Sequence, residues 1–202
     1  CAEPCVEGRL LAAHKIQFLM SYLGTEKFRQ AFYDELNRQN QAGVERQGAP
    51  YADASALYRD GDEEARHFKI DLNYLIPYNR LLPALDAVFS KVFGKEKERE
   101  TAKEIYLNAE DLKRLVEDGL KIGIHGYDYK ILPRLDYQKQ KKNIEAAMDS
   151  LAPIVGKSEL TVAYPEGFSD NATKRVLKEL GIAAGFTMRR KIITPQDIQS
   201  RW

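Results

Sequence analysis

Two short stretches concentrate residue types that do chemistry. One is Ile122-Gly123-Ile124-His125-Gly126-Tyr127-Asp128-Tyr129, the other Val162-Ala163-Tyr164-Pro165-Glu166-Gly167. In each, an apolar run reads as a strand that stops at a polar turn. Parallel α/β folds gather their functional residues at the carboxyl ends of strands. A histidine there suits metal ligation or proton transfer. Histidine is scarce, with only His14, His67 and His125, so a three-histidine site would use them all. His14 falls on an apolar helix face and reads as a packed, hydrogen-bonded core residue. His67 follows a charge run and reads as exposed. His125 alone has the position of a site residue, although on residue type alone a plain loop histidine is the simpler reading. Tyr164-Pro165 also has a simple reading as a strand end, because proline cannot donate to the ladder.

The elements that must position these stretches are legible from periodicity. In the first third, Leu11, His14, Phe18 and Tyr22 share one helical face, and Gly24 ends that helix. Thr25 is placed to cap the next helix, which carries Phe28, Phe32 and Leu36. The stretch 38–50 reads as a loop. The charge run 59–66 reads as a solvated turn and helix start. Residues 68–76 fit both periods, and the helical surroundings favour a helix. Leu85, Val88, Phe89 and Val92 mark a further helix closed by Gly94. The charged 95–104 reads as exposed.

From residue 105 helices and strands alternate, which predicts parallel strands with helical crossovers. Asn108 and Asp111 open a helix with Leu112, Leu115 and Val116 as its stripe, ended by Gly119. A strand is predicted over 121–124. A helix from about Asp136 carries Ile144, Met148 and Leu151. Strand 160–164 follows, then a helix capped by Ser169 or Asp170 with Val176, Leu177 and Leu180. Gly181 closes that helix ahead of strand 182–187. Thr194, Pro195 and Asp197 spell a last helix start.

Composition excludes several classes. The 202 residues hold 31 Lys or Arg against 30 Asp or Glu, a net charge of +1, so nothing suggests a nucleic-acid partner. No apolar run approaches the ~20 residues of a membrane span. Cys1 and Cys5, four apart, make no zinc site alone, and a disulfide between them would staple almost nothing. Cys1 suits either the lipid-bearing residue of a processed lipoprotein or the edge of a cut piece, and the second is preferred. The compartment, bacterial cytoplasm or cell envelope, and the oligomeric state are left open.

The residues 106–187 resemble the polysaccharide deacetylase family (NodB-type, carbohydrate esterase family 4). The landmarks fall in order: DGLKIGIHG, QKKNIEAAMDSL, TVAYPEG and RVLKELGIAAGFT. The resemblance implies an α/β fold, part of a distorted (β/α) barrel of NodB type, over 105–202. Residues 1–104 then resemble a helical insertion on the N-terminal side. It also implies a hydrolase acting on carbon–nitrogen bonds other than peptide bonds. Such an enzyme removes acetyl groups from an N- or O-acetylated glycan with a divalent metal, zinc in the first instance.

Carried over residue by residue, His125 matches the first metal histidine. The second falls on Tyr129, a poor zinc ligand, with Asp128 beside it as a substitute donor. Tyr164, Pro165 and Glu166 match the segment lining the substrate groove, with Glu166 in place of an aromatic. The strand ending in the family's paired aspartates is absent, and Asp60-Gly61-Asp62 does not replace it, because no apolar strand precedes it. The late strand with the leaving-group histidine is absent too. The catalytic residues are therefore unassigned. A truncated enzyme and a degenerate, glycan-binding or structural relative are both consistent with the resemblance. Arg189-Arg190-Lys191 reads as a solvated loop able to steer anionic glycans.

Overall fold

The computed structural model describes residues 1–39, 63–155, 160–182, 184–188 and 194. Of the loop expected over 38–50, Arg38 instead ends a helix that the chain continues from Thr25, and 40–50 lie outside the described residues, as do Asp60-Gly61-Asp62, the basic 189–191 and the helix start at Pro195. The chain divides into two compact units, Leu10–Ala102 and a second that joins Cys1–Arg9 to Lys103–Trp202. Cys1–Arg9 thus belong with the second unit and not with the helical segment expected over 1–104.

The helical unit begins with α2 (Ala12–Leu23), after α1 (Ala2–Glu7) of the other unit, and continues with α3 (Thr25–Arg38) and α4 (Glu63–Ile70). A π-helical turn, Asp71–Leu75, extends α4, so the ambiguous 68–76 is helical up to Ile76. The unit closes on α5 (Tyr78–Phe93) and the first turns of α6 (Lys95–Ile105). Phe28, Phe32, Phe68, Leu72, Leu85 and Phe89 fill its core. The face expected of α2 is corrected by the structure. Tyr22 is 69% exposed, Phe18 is near the surface and His14 is half-buried, while Lys15, Ile16 and Leu19 face inward. The reason is electrostatic. The Lys15 ammonium meets Asp86 at 2.6 Å and Glu98 at 2.7 Å, and two carboxylates compensate its desolvation. Glu98 is thereby drawn inward, so the run 95–104 is not wholly solvent-facing. Thr25 is not a side-chain cap; Gly24 takes the N-cap position.

The second unit is built on parallel strand pairing. β1 (Thr161–Ala163) pairs with β2 (Ala184–Phe186), Val162 opposite Gly185. Ile124 forms a parallel bridge to Val162 on the other side of β1. The strands expected over 121–124 and 182–187 are thus shorter than read, and a barrel is not seen among the described residues. Around them lie α7 (Ala109–Glu117), α8 (Tyr137–Val155) and α9 (Asn171–Glu179). Asn108 and Asp111 form the expected capping box, and Asp170 rather than Ser169 caps α9. Val162, Ile124, Ile144, Leu151, Val176 and Leu177 make the core.

Glycine is required where the strands are tight. A Cβ on Gly185 would overlap the buried Tyr164 ring and hydroxyl, and one on Gly123 would lie 2.7 Å from Thr161 Oγ1. Gly185→Ala should therefore destabilise the protein by about 1–3 kcal/mol, the usual cost of overpacking. Chemical denaturation measures it, and an unchanged midpoint would show that Tyr164 moves freely aside.

A second prediction concerns Glu35, whose buried carboxylate takes Arg38 at 2.6 Å and Lys91 at 2.9 Å. Hydrogen bonds from Arg38, then Lys91 and Gln39, pull its carboxyl down to about 2 against the opposing effect of burial. A carboxylate lowered in the fold contributes stability above its unfolded value, about 4.3, and loses it as pH falls toward the folded value. Glu35→Gln should lower the melting temperature at neutral pH. It should also flatten the loss of stability between about pH 4.5 and 2.5. Circular dichroism melts at several pH values check both.

Candidate functional site

The site forms where the parallel ladder ends. Ile124 N–H donates to Thr161 O at 2.8 Å, Ala163 N–H to Ile124 O at 2.9 Å, and Tyr164 N–H to Phe186 O at 3.0 Å. These bonds put His125 beside the turn that begins at Tyr164. The His125 ring is held there by Nδ1, 2.7 Å from Ala163 O. A carbonyl oxygen only accepts, so Nδ1 carries the proton and Nε2 faces away from this bond. Burial, the largest influence, lowers the His125 pKa below its ordinary 6.5, although the Ala163 bond and the Glu166 charge favour the cation. Burial thus favours the neutral imidazole, with a lone pair on Nε2.

Tyr129 stands edge-on to His125 with ring centroids 5.0 Å apart, and its hydroxyl donates to Glu166 Oε1 at 3.1 Å. Tyr129 (φ 61°) and Glu166 (φ 54°) are the only non-glycine residues at positive φ among the described residues. Each conformation costs of order 1–2 kcal/mol, and such residues persist where surrounding contacts over-determine them. These two residues are joined by the Tyr129–Glu166 hydrogen bond.

The loop 125–130 is clamped from several sides. Asn143 on α8 accepts from Tyr127 N–H at 3.0 Å and donates to Asp128 Oδ1 at 2.7 Å. Gly126 adopts φ 69°, and a Cβ there would come within 3.0 Å of Asn143 Oδ1. Lys130 Nζ lies 2.5 Å from Asp128 Oδ2. From the start of the chain, Glu3 N–H donates to Tyr127 O at 2.9 Å and the Cys1 thiol to His125 O at 3.2 Å. Tyr127 donates its hydroxyl to Glu7, and that bond, the largest influence, raises the phenol pKa to about 12. Cys1 and Cys5 are both free thiols.

The sequence-selected residues therefore separate into roles. His125, Tyr129 and Glu166 come together. Asp128 is engaged by Lys130 and Asn143. Tyr164 is buried beneath the turn, where burial raises its pKa, and Pro165 is buried with it. Phe186 and Met188 are exposed, and Met188 packs against Gly167. Asn143 was not selected from the sequence. Its signal was position: it shares the inward side of α8 with Gln140, Ile144 and Ala147, where a polar residue needs a partner.

A divalent metal needs about three protein donors in a catalytic zinc site. Among the described residues no group of three His, Cys, Asp or Glu side chains is placed to hold one. His125 offers Nε2, but Asp128 is bonded to Lys130 and Tyr129 to Glu166. The described residues do not fit a metal centre.

Residues 91–185 match the sequence model of a family described as polysaccharide deacetylase. The resemblance read from the sequence holds for that segment, which is polysaccharide deacetylase-like. No curated protein and no solved structure shows significant similarity to the chain. Among the described residues no helix is long and apolar enough to cross a membrane.

Two measurements check this geometry. An NMR titration should place the His125 midpoint below 6.5. A midpoint above it would show the cation paired with Glu166 instead. Because the fold favours the neutral ring, the stability it lends is lost as pH falls below the unfolded value, about 6.5. Asn143→Ala should cost about 1–3 kcal/mol, since it strips a partner from Tyr127 N–H and from Asp128. It should also shift the His125 ring resonances, which a purely distant packing loss would leave in place.

Proposed function

From the polysaccharide deacetylase match over residues 91–185, we propose that the chain is a hydrolase acting on an N- or O-acetylated carbohydrate. The observation that carries this reading is His125, fixed through Nδ1 at the end of the ladder, with Tyr129 edge-on to its ring and Glu166 bonded to that tyrosine. A neutral imidazole on a rigid backbone can take up a proton at Nε2, which is what general base chemistry requires. The Glu166 carboxylate can accept from sugar hydroxyls. Exposed Phe186 and Met188 offer apolar surface of the kind on which a sugar ring rests. The divalent metal expected from the resemblance, zinc first, would need donors besides those described, so no step is routed through it here.

A second reading keeps the sugar and drops the hydrolysis. It is favoured by Tyr129, which the resemblance aligns with the second metal histidine and whose hydroxyl donates to Glu166. In that case the chain is a glycan-binding or structural module of deacetylase descent.

Acetate release from acetylated chito-oligosaccharides, with and without added zinc, separates the two. The hydrolase reading expects release above the uncatalysed blank and a loss of about 100-fold or more in His125→Ala. Saturable sugar binding without acetate establishes the second reading. Neither binding nor acetate removes both.

A further inference from the structure

We infer that α1 is a strap that positions His125, with Glu7 and Tyr127 as the positioning residues of its latch. What His125 then does rests on the hydrolase reading above; the strap itself does not.

α1 is six residues long, short of the ~12–15 at which an isolated helix becomes stable in water. Its helical form therefore comes from what it touches. Ala2 and Pro4 are buried, and Cys5 packs on the core around the strands. α1 also meets the loop after His125 at three levels. The Cys1 thiol donates to His125 O at 3.2 Å, Glu3 N–H donates to Tyr127 O at 2.9 Å, and the Tyr127 hydroxyl donates to Glu7. Asn143 accepts from Tyr127 N–H on the α8 side. Tyr127 thus has its N–H, its carbonyl and its hydroxyl all engaged, and a loop residue held at three points is fixed in place.

These contacts differ in kind. Glu3 gives only its backbone N–H, which any residue but proline supplies. The Cys1 thiol is a weak donor. The Tyr127–Glu7 bond joins two side chains, so it is the contact that a substitution removes without touching the backbone. His125 is held at both ends, its ring by Ala163 O and its carbonyl by Cys1. When α1 lifts, the ring bond and the ladder remain while the carbonyl and the following turn are freed. The surroundings of the ring then change although the sheet does not.

The test compares Tyr127→Phe, Glu7→Ala, Glu7→Gln and Asp170→Ala in the whole chain. Asp170→Ala removes the α9 cap and so weakens the same unit without touching the latch. Three readouts need no substrate: the rate of Cys1 alkylation by iodoacetamide, read by mass spectrometry; amide hydrogen exchange over 125–128; and the His125 ring resonances at fixed pH. Tyr127→Phe and Glu7→Ala should each raise the two rates roughly threefold to tenfold, the effect of one lost hydrogen bond on an opening equilibrium, and should move the resonances. Glu7→Gln keeps an acceptor and should restore most of the wild-type behaviour. The double variant Tyr127→Phe/Glu7→Ala should go no further than either single one, because both remove the same bond. Equal changes in Asp170→Ala overturn the strap, since they mark a general loosening. So do His125 resonances that stay in place while Cys1 becomes reactive. Should the latch variants fail to fold, alkylating Cys1 of the wild-type chain must itself move those resonances, and unmoved resonances overturn the proposal. A chain that neither binds sugar nor releases acetate overturns the carbohydrate reading and leaves the strap standing.

Discussion

The second unit depends on a three-way parallel ladder only a few bonds long. Ile124 bonds to β1 through both its N–H and its carbonyl, and Tyr164 N–H reaches across to Phe186. Parallel pairing needs long crossovers, and α8 and α9 supply them, with their apolar stripes packed on the same strands. Because the strands run in one direction, their carboxyl ends emerge together. That shared exit brings His125 within reach of residues some forty positions later in the chain. Gly123 and Gly185 permit it, since a side chain at either would strike Thr161 or Tyr164.

Polar contacts finish what the ladder begins. The loop after His125 has too little apolar content to pack itself, so hydrogen bonds hold it. Asn143 serves as a bracket with an acceptor for Tyr127 N–H and a donor for Asp128. Residues at the start of the chain brace the other side through Glu3, Glu7 and Cys1. The left-handed backbone at Tyr129 and Glu166 is tolerable only under such constraint. Asn143 and Asp128 hold the turn, and His125 and Glu166 are held in place by it and by the strand end.

The helical unit follows another logic. Its aromatic core of Phe28, Phe32 and Phe68 in edge-to-face contact would form from apolar burial alone. Two buried charges set its details. Lys15 gathers Asp86 and Glu98, and Glu35 gathers Arg38 and Lys91. Each carries two oppositely charged partners, which offset the desolvation that one partner offsets poorly.

Local rules made much of this legible in the sequence. The capping box at Asn108, a cap at Ser169 or Asp170, the stripe of Phe28, Phe32 and Leu36, and the alternation of helix and strand after residue 105 rest on contacts within a few residues. The position of His125 was legible too, because a strand end in a parallel fold is a place that a sequence can mark. The inward face of α2 was not legible, because a lysine reads as solvent-facing until two distant carboxylates are known to meet it. Nor was the partner of Glu166. That partner is Tyr129, thirty-seven residues earlier, and only the tertiary structure brings its hydroxyl to Glu166. Asn143 and Asp128 follow the same pattern. The sequence by itself determined which elements form and which residues could do chemistry, because those depend on near neighbours. The partner of each polar side chain was decided by the folded structure, because hydrogen bonds join groups by position in space.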